Sequence, residues 1–371
     1  MAREAVTAIA GQILTPEGFQ PGNLRCTAAI QAIEPAADAP EDWFVLPGFI
    51  DLHVHGGEGA DVMAGAEAVH RMARFHARHG TTALLATTVT APRPELLAAF
   101  CGIGAAMAKG GADGARVLGA HLEGPFISPH ALGAQPPFAI TPDLGLVDEL
   151  AALAPIRVAT VAPEIDPDAA LLRHLSAQGT RVQIGHTACT YAQAEAALAA
   201  GAVGFTHLFN AMSGLHHRRA GAAGAALAHV HWAELILDFV HLEEGAARVA
   251  LRAIPNVYCI TDAVAATGMP PGEYRLGQHR IFKDANAVRL ADGTLAGSVL
   301  TMDRALRNLV HLGVPLKDAA RRCATIPADY LGLEERGRLV PGAAADIVVL
   351  DGTGRLGAVF IEGRAISPAA D

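Results

Sequence analysis

Between residues 45 and 261 the chain alternates eight short β-rich runs with alanine-rich helical stretches, and no other feature of its 371 residues restricts the fold as much. The runs span 45–54, 83–89, 117–123, 157–162, 181–186, 204–209, 234–239 and 257–261. Helical patterns at 66–79, 94–108, 168–177 and 191–199 lie between them, and two more, around 302–312 and 316–323, follow the last run. Gly80, Gly179 and Gly201 stand where helix C-termini favour a residue at ease in the left-handed region. Alternation of strand and helix demands parallel pairing with right-handed crossovers. Eight such units predict an α/β fold, a closed (β/α)8 barrel of the TIM type rather than an open sheet. The open, doubly wound competitor needs a G-x-G-x-x-G turn after its first strand, and the chain has none there.

The two ends of the chain read differently. Residues 1–46 and 336–371 hold short strands punctuated by glycine and proline, at 5–14, 28–33, 346–350 and 359–361. Neither end can bury a core alone, so one small β-sandwich domain built from both is expected, beside a catalytic barrel of residues 47–335. Hydrophobic residues make up 51% of the chain, enough for a large core and incompatible with general disorder. The 28 basic and 37 acidic residues leave a net charge of −9, with no basic run or stripe. That balance speaks against nucleic acid and against an anionic membrane surface as partners. No apolar run approaches the ~18–20 residues of a transmembrane helix, and the N-terminus lacks a secretory-signal pattern. The five cysteines are scattered and never spaced C-x-x-C, which predicts a reducing, cytoplasmic setting and no thiolate zinc site.

Barrel enzymes carry their reactive groups at the C-terminal ends of the strands. Here those ends present His53, His55, Glu123, His186, His207 and Asp262. The side-chain period of two puts both imidazoles of His53-Val54-His55 on one face of a strand, where they can grip one ion. Burying two imidazoles is unfavourable unless they are paired or metal-bound. Imidazole and carboxylate without thiolate suit a divalent metal, zinc foremost, with iron, manganese or cobalt also admitted. A carboxylate such as Asp262 beside a metal-activated water can take its proton and return it to a leaving group. An anion-binding patch is expected at Asn210 and Ala211 with Arg218 and His241, because Arg218 belongs to the one dense cationic cluster, 216–219. His70, His76, His79, His174, His229, His231 and His311 have no such placement and are assigned structural roles. Neither a phosphate-binding G-x-x-x-x-G-K loop nor a G-x-S-x-G elbow is present.

The motifs that carry these residues resemble the amidohydrolase superfamily and, within it, the N-acetylglucosamine-6-phosphate deacetylase family. They are P-G-F-I-D-L-H-V-H-G-G from Pro47, H-L-E-G-P-F from His121, G-H-T from Gly185 and T-H-L-F-N-A-M from Thr206. T-D-A from Thr261, G-E-Y from Gly272, G-T-L-A-G-S from Gly293 and P-G-A-A-A-D-I-V from Pro341 complete the set. The resemblance implies that Glu123, His186 and His207 hold the principal metal, with a second held by His53 and His55 and bridged by Glu123. It implies Asp262 as general base and acid. It assigns Asn210, Ala211, Arg218, His241, Leu295, Ala296, Gly297 and Ser298 to the sugar phosphate. It further implies a homodimer in which Arg218 and His241 reach the neighbouring active site. The implied reaction is hydrolysis of N-acetyl-D-glucosamine 6-phosphate to D-glucosamine 6-phosphate and acetate. Where these deacetylases usually carry a substrate-contacting histidine, this chain has Gln135, with His130 nearby. The alternatives are therefore N-acetylgalactosamine 6-phosphate as substrate, or another amidohydrolase acting on a cyclic amide.

Overall fold

The eight expected runs form one parallel sheet. The computed structural model describes residues 6–110 and 113–369, and we number the barrel strands alone. They are β1 (Phe49–Val54), β2 (Thr81–Thr88), β3 (Arg116–Glu123), β4 (Ile156–Val161), β5 (Arg181–Ile184), β6 (Gly204–Phe205), β7 (Trp232–Ile236) and β8 (Asn256–Ile260). Each is followed by a helix: α1 (Ala66–Ala77), α2 (Arg93–Lys109), α3 (Leu144–Leu153), α4 (Ala170–Ala177), α5 (Tyr191–Ala199), α6 (Gly221–His229), α7 (Glu244–Ala253) and α8 (Met302–His311). Neighbours pair in sequence order from β1 to β8. Helices cover the outside and side chains fill the inside, so every residue of β2 is buried, as a parallel sheet covered on both faces requires.

The edges of the sheet meet beyond β1 and β8. Asp262 N–H donates to the His53 carbonyl at 2.8 Å and His55 N–H to the Ala263 carbonyl at 2.9 Å. Asp51, wholly buried in β1, fixes the same seam: its carboxylate accepts from the Thr261 hydroxyl at 2.6 Å and from the Thr261 and His53 N–H groups at 3.2 Å each. Burial pushes the Asp51 carboxyl up to about 6 despite those bonds.

Several strands end earlier than their hydrophobic runs. His186, His207, Phe209, Phe239 and Asp262 have φ of 45°, 29°, 80°, 60° and 52°. A strand cannot continue through such residues, and the chain turns there into the loops of the barrel mouth.

Both chain ends join one mixed seven-stranded sheet, ordered 364–366, 356–361, 347–350, 44–47, 7–15, 18–26, 30–35. The expected start of its first strand at Ala5 lies outside the described residues. The sheet curls until its two edges meet: Ile30 N–H reaches the Ala343 carbonyl at 2.8 Å and Ala345 N–H the Ala28 carbonyl at 2.9 Å. A small core of Ile13, Leu24, Val45 and Ile347 fills the curl, while Leu46, Val348 and Leu350 pack with the barrel residues Phe49 and Leu52. A second feature went unforeseen. Between β8 and α8 the chain inserts a three-stranded antiparallel sheet, Gly272–Leu276, His279–Lys283 and Val288–Arg289, at the C-terminal mouth of the barrel.

An ion network ties the terminal sheet to the barrel. Arg116, opening β3, donates through Nε to Glu362 at 2.8 Å, and Arg336 reaches the same carboxylate at 2.7 Å while also pairing with Asp346. The two guanidinium groups, Arg116 first, hold the Glu362 carboxyl at about 2 instead of 4.5. A carboxylate held low stabilises the folded state above its ordinary pKa and loses that contribution as the pH falls through the depressed value. Glu362→Gln should therefore lower stability at pH 6 and flatten its decline between pH 4.5 and 2, read from urea melts across that range.

Candidate active site

The strand ends bring five of the six expected polar groups around one carboxylate. Glu123, the last residue of β3, has Oε1 at 3.1 Å from His186 Nε2 and 3.0 Å from His207 Nε2. The same oxygen lies 3.4 Å from His53 Nε2, and Oε2 lies 3.1 Å from His55 Nε2. Two ligand triads thus share Glu123: one with His186 and His207, the other with His53 and His55. Asp262 completes the set, with Oδ1 at 3.2 Å from His55 Nε2 and 3.5 Å from His53 Nε2.

The outer nitrogens fix the tautomers. A carbonyl or carboxylate oxygen can only accept, so His55 Nδ1 donates to the Thr87 carbonyl at 3.1 Å, and His186 Nδ1 to that of Ala131 at 3.0 Å. His53 Nδ1 donates to Glu234 Oε2 at 3.1 Å. Their Nε2 lone pairs therefore face inward. His53 and His55 approach Nε2 to Nε2 at 3.2 Å, and His186 and His207 at 3.1 Å. Two lone pairs at that separation repel unless a cation lies between them. The donor set therefore fits one or two divalent metals, with outer partners of the kind that orient metal-bound imidazoles.

The electrostatics favour positive charge at the same place. Burial alone would raise the Glu123 carboxyl, but the imidazoles of His53, His186 and His207 hold it well below the usual carboxylate range. Burial also works against a cation on His53, yet Glu123 and Glu234 lift it well above its ordinary value. Asp262 and Glu123 likewise overcome burial and raise His55 to about 9.

Beneath the ligands lies a layer that the sequence did not announce. From Glu234 in β7 a chain of hydrogen bonds crosses the barrel: Tyr258 hydroxyl to Glu234 at 3.4 Å, Gln183 Nε2 to Tyr258 at 2.8 Å, and Thr206 hydroxyl to Gln183 Oε1 at 2.8 Å. It continues from Thr206 to Thr160 at 2.8 Å and from Thr160 to His121 Nε2 at 2.8 Å, and His121 Nδ1 donates to the Leu52 carbonyl at 3.0 Å. His121 is neutral, since burial drops it to about 4. Glu234 also accepts the His207 N–H at 3.2 Å, so one carboxylate positions a ligand from each triad.

Above the ligands opens a cavity of about 310 Å³. Asn210, Ala211, His241, Leu295, Gly297 and Gln135 line it, as expected of substrate-binding residues. Gly297 cannot carry a side chain there: its φ is +65°, and a Cβ would stand 2.4 Å from Val264 Cγ1. Gln135 is held at both ends, accepting the Thr90 N–H at 2.7 Å and donating to Glu123 Oε2 at 2.5 Å. The other expected binding residues stand elsewhere. Ala296 and Ser298 are buried behind the wall, the latter donating to the Thr261 carbonyl at 2.5 Å, while Arg218 and His130 are exposed outside the lining. Arg289, from the insertion, was not anticipated and does line the cavity. His76, assigned a structural role, donates to or accepts within a buried contact with the Gly56 carbonyl at 2.9 Å, away from the ligands.

Known proteins share this architecture. The model of the amidohydrolase family matches residues 44–366. The N-acetylgalactosamine-6-phosphate deacetylase of Escherichia coli O157:H7 is 38% identical over 371 residues, covering 96% of this chain and 98% of that one. The N-acetylglucosamine-6-phosphate deacetylase of Vibrio furnissii is 39% identical over 337 residues, covering 88% and 84%. Among solved structures, a mutant N-acetyl-D-glucosamine-6-phosphate deacetylase from Mycobacterium smegmatis, in complex with N-acetyl-D-glucosamine-6-phosphate, aligns with a TM-score of 0.91. It is 34% identical, and the alignment covers 97% of this chain and 99% of that one. With the match spanning barrel and terminal sheet alike, the chain belongs to the amidohydrolase family, in the branch that contains the N-acetylglucosamine-6-phosphate deacetylases.

Proposed function

We propose that this chain hydrolyses N-acetyl-D-glucosamine 6-phosphate to D-glucosamine 6-phosphate and acetate. The observation that carries the reading is the pair of ligand triads sharing Glu123, with Asp262 Oδ1 3.2 Å from His55 Nε2 at the floor of a sugar-sized cavity. Glu123, His186 and His207 would hold the principal metal, and His53 and His55 a second. Zinc is the first choice, with iron, manganese or cobalt as alternatives. When bound, the metal supplies Lewis acidity toward the amide carbonyl and lowers the pKa of the attacking water.

The rest falls to the chain's own side chains. Burial would raise the Asp262 carboxyl, but His55 and His53 keep it below its ordinary value, so it is ionised and ready to accept a proton. It takes one from the water as the C–O bond forms, and returns it to the amide nitrogen as the C–N bond breaks. Acetate and the free amine result, and the carboxylate is regenerated. Asn210, Ala211 and His241 hold the sugar phosphate against the wall. Arg218, exposed on its loop, would act in a homodimer by reaching the neighbouring subunit's site. The absence of any helix long and apolar enough to cross a membrane among the described residues accords with a cytoplasmic enzyme.

A second reading, N-acetylgalactosamine 6-phosphate as substrate, is favoured by Gln135. Its amide is engaged by Thr90 and Glu123, so it meets a sugar hydroxyl differently from the imidazole usual in this branch.

Three outcomes test these readings. Zinc at a hundred times its Kd should stabilise the metal-free protein by about 2.7 kcal/mol, seen as a rise in Tm by calorimetry that Glu123→Gln abolishes. The metal-loaded protein should release acetate from N-acetylglucosamine 6-phosphate and stop when a chelator is added. Faster release from the galacto epimer would establish the second reading, and no acetate from either would overturn both. Asp262→Asn should lower kcat by about 10²–10⁴ while leaving metal content, read by elemental analysis, unchanged.

A further inference from the structure

The cavity holds a guanidinium that the expected binding set lacks. Arg289 ends the last strand of the inserted sheet and lines the cavity with His241, while Arg218 stands outside. Its backbone is well fixed. Arg289 bridges antiparallel to Leu295, and Ala296 N–H donates to the Val288 carbonyl at 2.9 Å. The turn between is closed by Leu290 N–H on the Thr294 carbonyl at 2.8 Å and by Asp292, which accepts the Thr294 N–H at 2.9 Å.

The side chain is held but not used up. Nη1 donates to the Gly293 carbonyl at 3.0 Å, and a guanidinium has five N–H donors. Among the described residues no carboxylate stands at ion-pair distance from Arg289, whereas Arg336 has two. His241 donates from Nδ1 to Asp238 at 2.7 Å, which raises its pKa against burial, and the Arg289 charge is felt there as an opposing influence. Two cationic groups turned toward one cavity repel each other until an anion lies between them. A phosphate does this best, because a guanidinium meets two of its oxygens at once.

We propose that Arg289 is a specificity-determining residue that, with His241, receives the substrate's 6-phosphate. The proposal rests on the deacetylase reading and deepens it: the phosphate is gripped by the chain's own inserted sheet. The wall from Arg289 to Gly297 then serves two ends, with its cation on the phosphate at the rim and its glycine beside Asp262 at the floor.

The test uses the metal-loaded full chain with Arg289→Ala and Arg289→Lys, both at an exposed position where folding is expected to persist and is checked by Tm. Arg289→Ala should raise KM for N-acetylglucosamine 6-phosphate by about 10- to 100-fold and leave kcat nearly unchanged. KM for unphosphorylated N-acetylglucosamine should not move. Arg289→Lys keeps the charge without the fork and should restore part of the loss. An equal rise for both substrates, or none for either, overturns the proposal. Calorimetric titration with glucose 6-phosphate, which has no acetamide, separates its failure from that of the deacetylase reading. Binding that Arg289→Ala weakens supports the phosphate contact even if the wild type releases no acetate. Binding equal in both proteins, or absent from the wild type, overturns it.

Discussion

One buried carboxylate organises this molecule. Glu123 stands among four imidazoles, and none of the five could be withdrawn from water in isolation without heavy loss. Together they are stable when positive charge occupies the space between the Nε2 atoms. Four separate strand ends must therefore converge within a few ångströms, and a closed parallel barrel achieves this because all its C-terminal ends open on one face. The seam between β1 and β8 is part of the same requirement. The hydrogen bonds that close it are made by Asp51, His53, His55 and Asp262, so closing the barrel and aligning the proton-transfer group are a single event.

That convergence has its own backbone cost. His186, His207 and Asp262 all lie at positive φ, a conformation worth about 1–3 kcal/mol of strain for a non-glycine residue. The strain turns each chain segment sharply off its strand, so that the side chain points across the mouth and not along the wall. The large apolar core shared between barrel and helices offsets it. The terminal sheet adds to that core from below, through Leu46 and Val348 packed with Phe49.

Much of this was legible because it is written in short-range pattern. The eight units follow from alternation, and the ligands follow from asking which polar residues end each run. His53 and His55 declare themselves by spacing. What could not be read depends on distance along the chain. Glu234 and Gln183 sit inside strands whose other residues are apolar, and nothing local distinguishes them from tolerated polar residues. Only the barrel brings Glu234 to His53, 181 residues away. The inserted sheet was missed because its residues 272–289 are polar and half-exposed, without the hydrophobic run that marks a barrel strand. The same gap hid Arg289 and left Arg218, conspicuous in its cluster of like charges, as the obvious cation. A dense charge cluster signals solvation as readily as binding, and the exposed loop at 216–219 is an instance.

The polar belt under the metal ligands has a bearing on how the barrel assembles. Its members come from β1, β3, β4, β5, β7 and β8 and from the residue following β6, and each is satisfied by a neighbour on another strand. A buried polar group left unpaired loses about 1–3 kcal/mol. Any partial barrel, such as a half of four strands, would strand several of these groups against apolar neighbours. A uniformly aliphatic interior would let such fragments linger as compact, semi-stable forms. The belt removes that option, so the barrel's interior gains its full stability only when the last strand is in place.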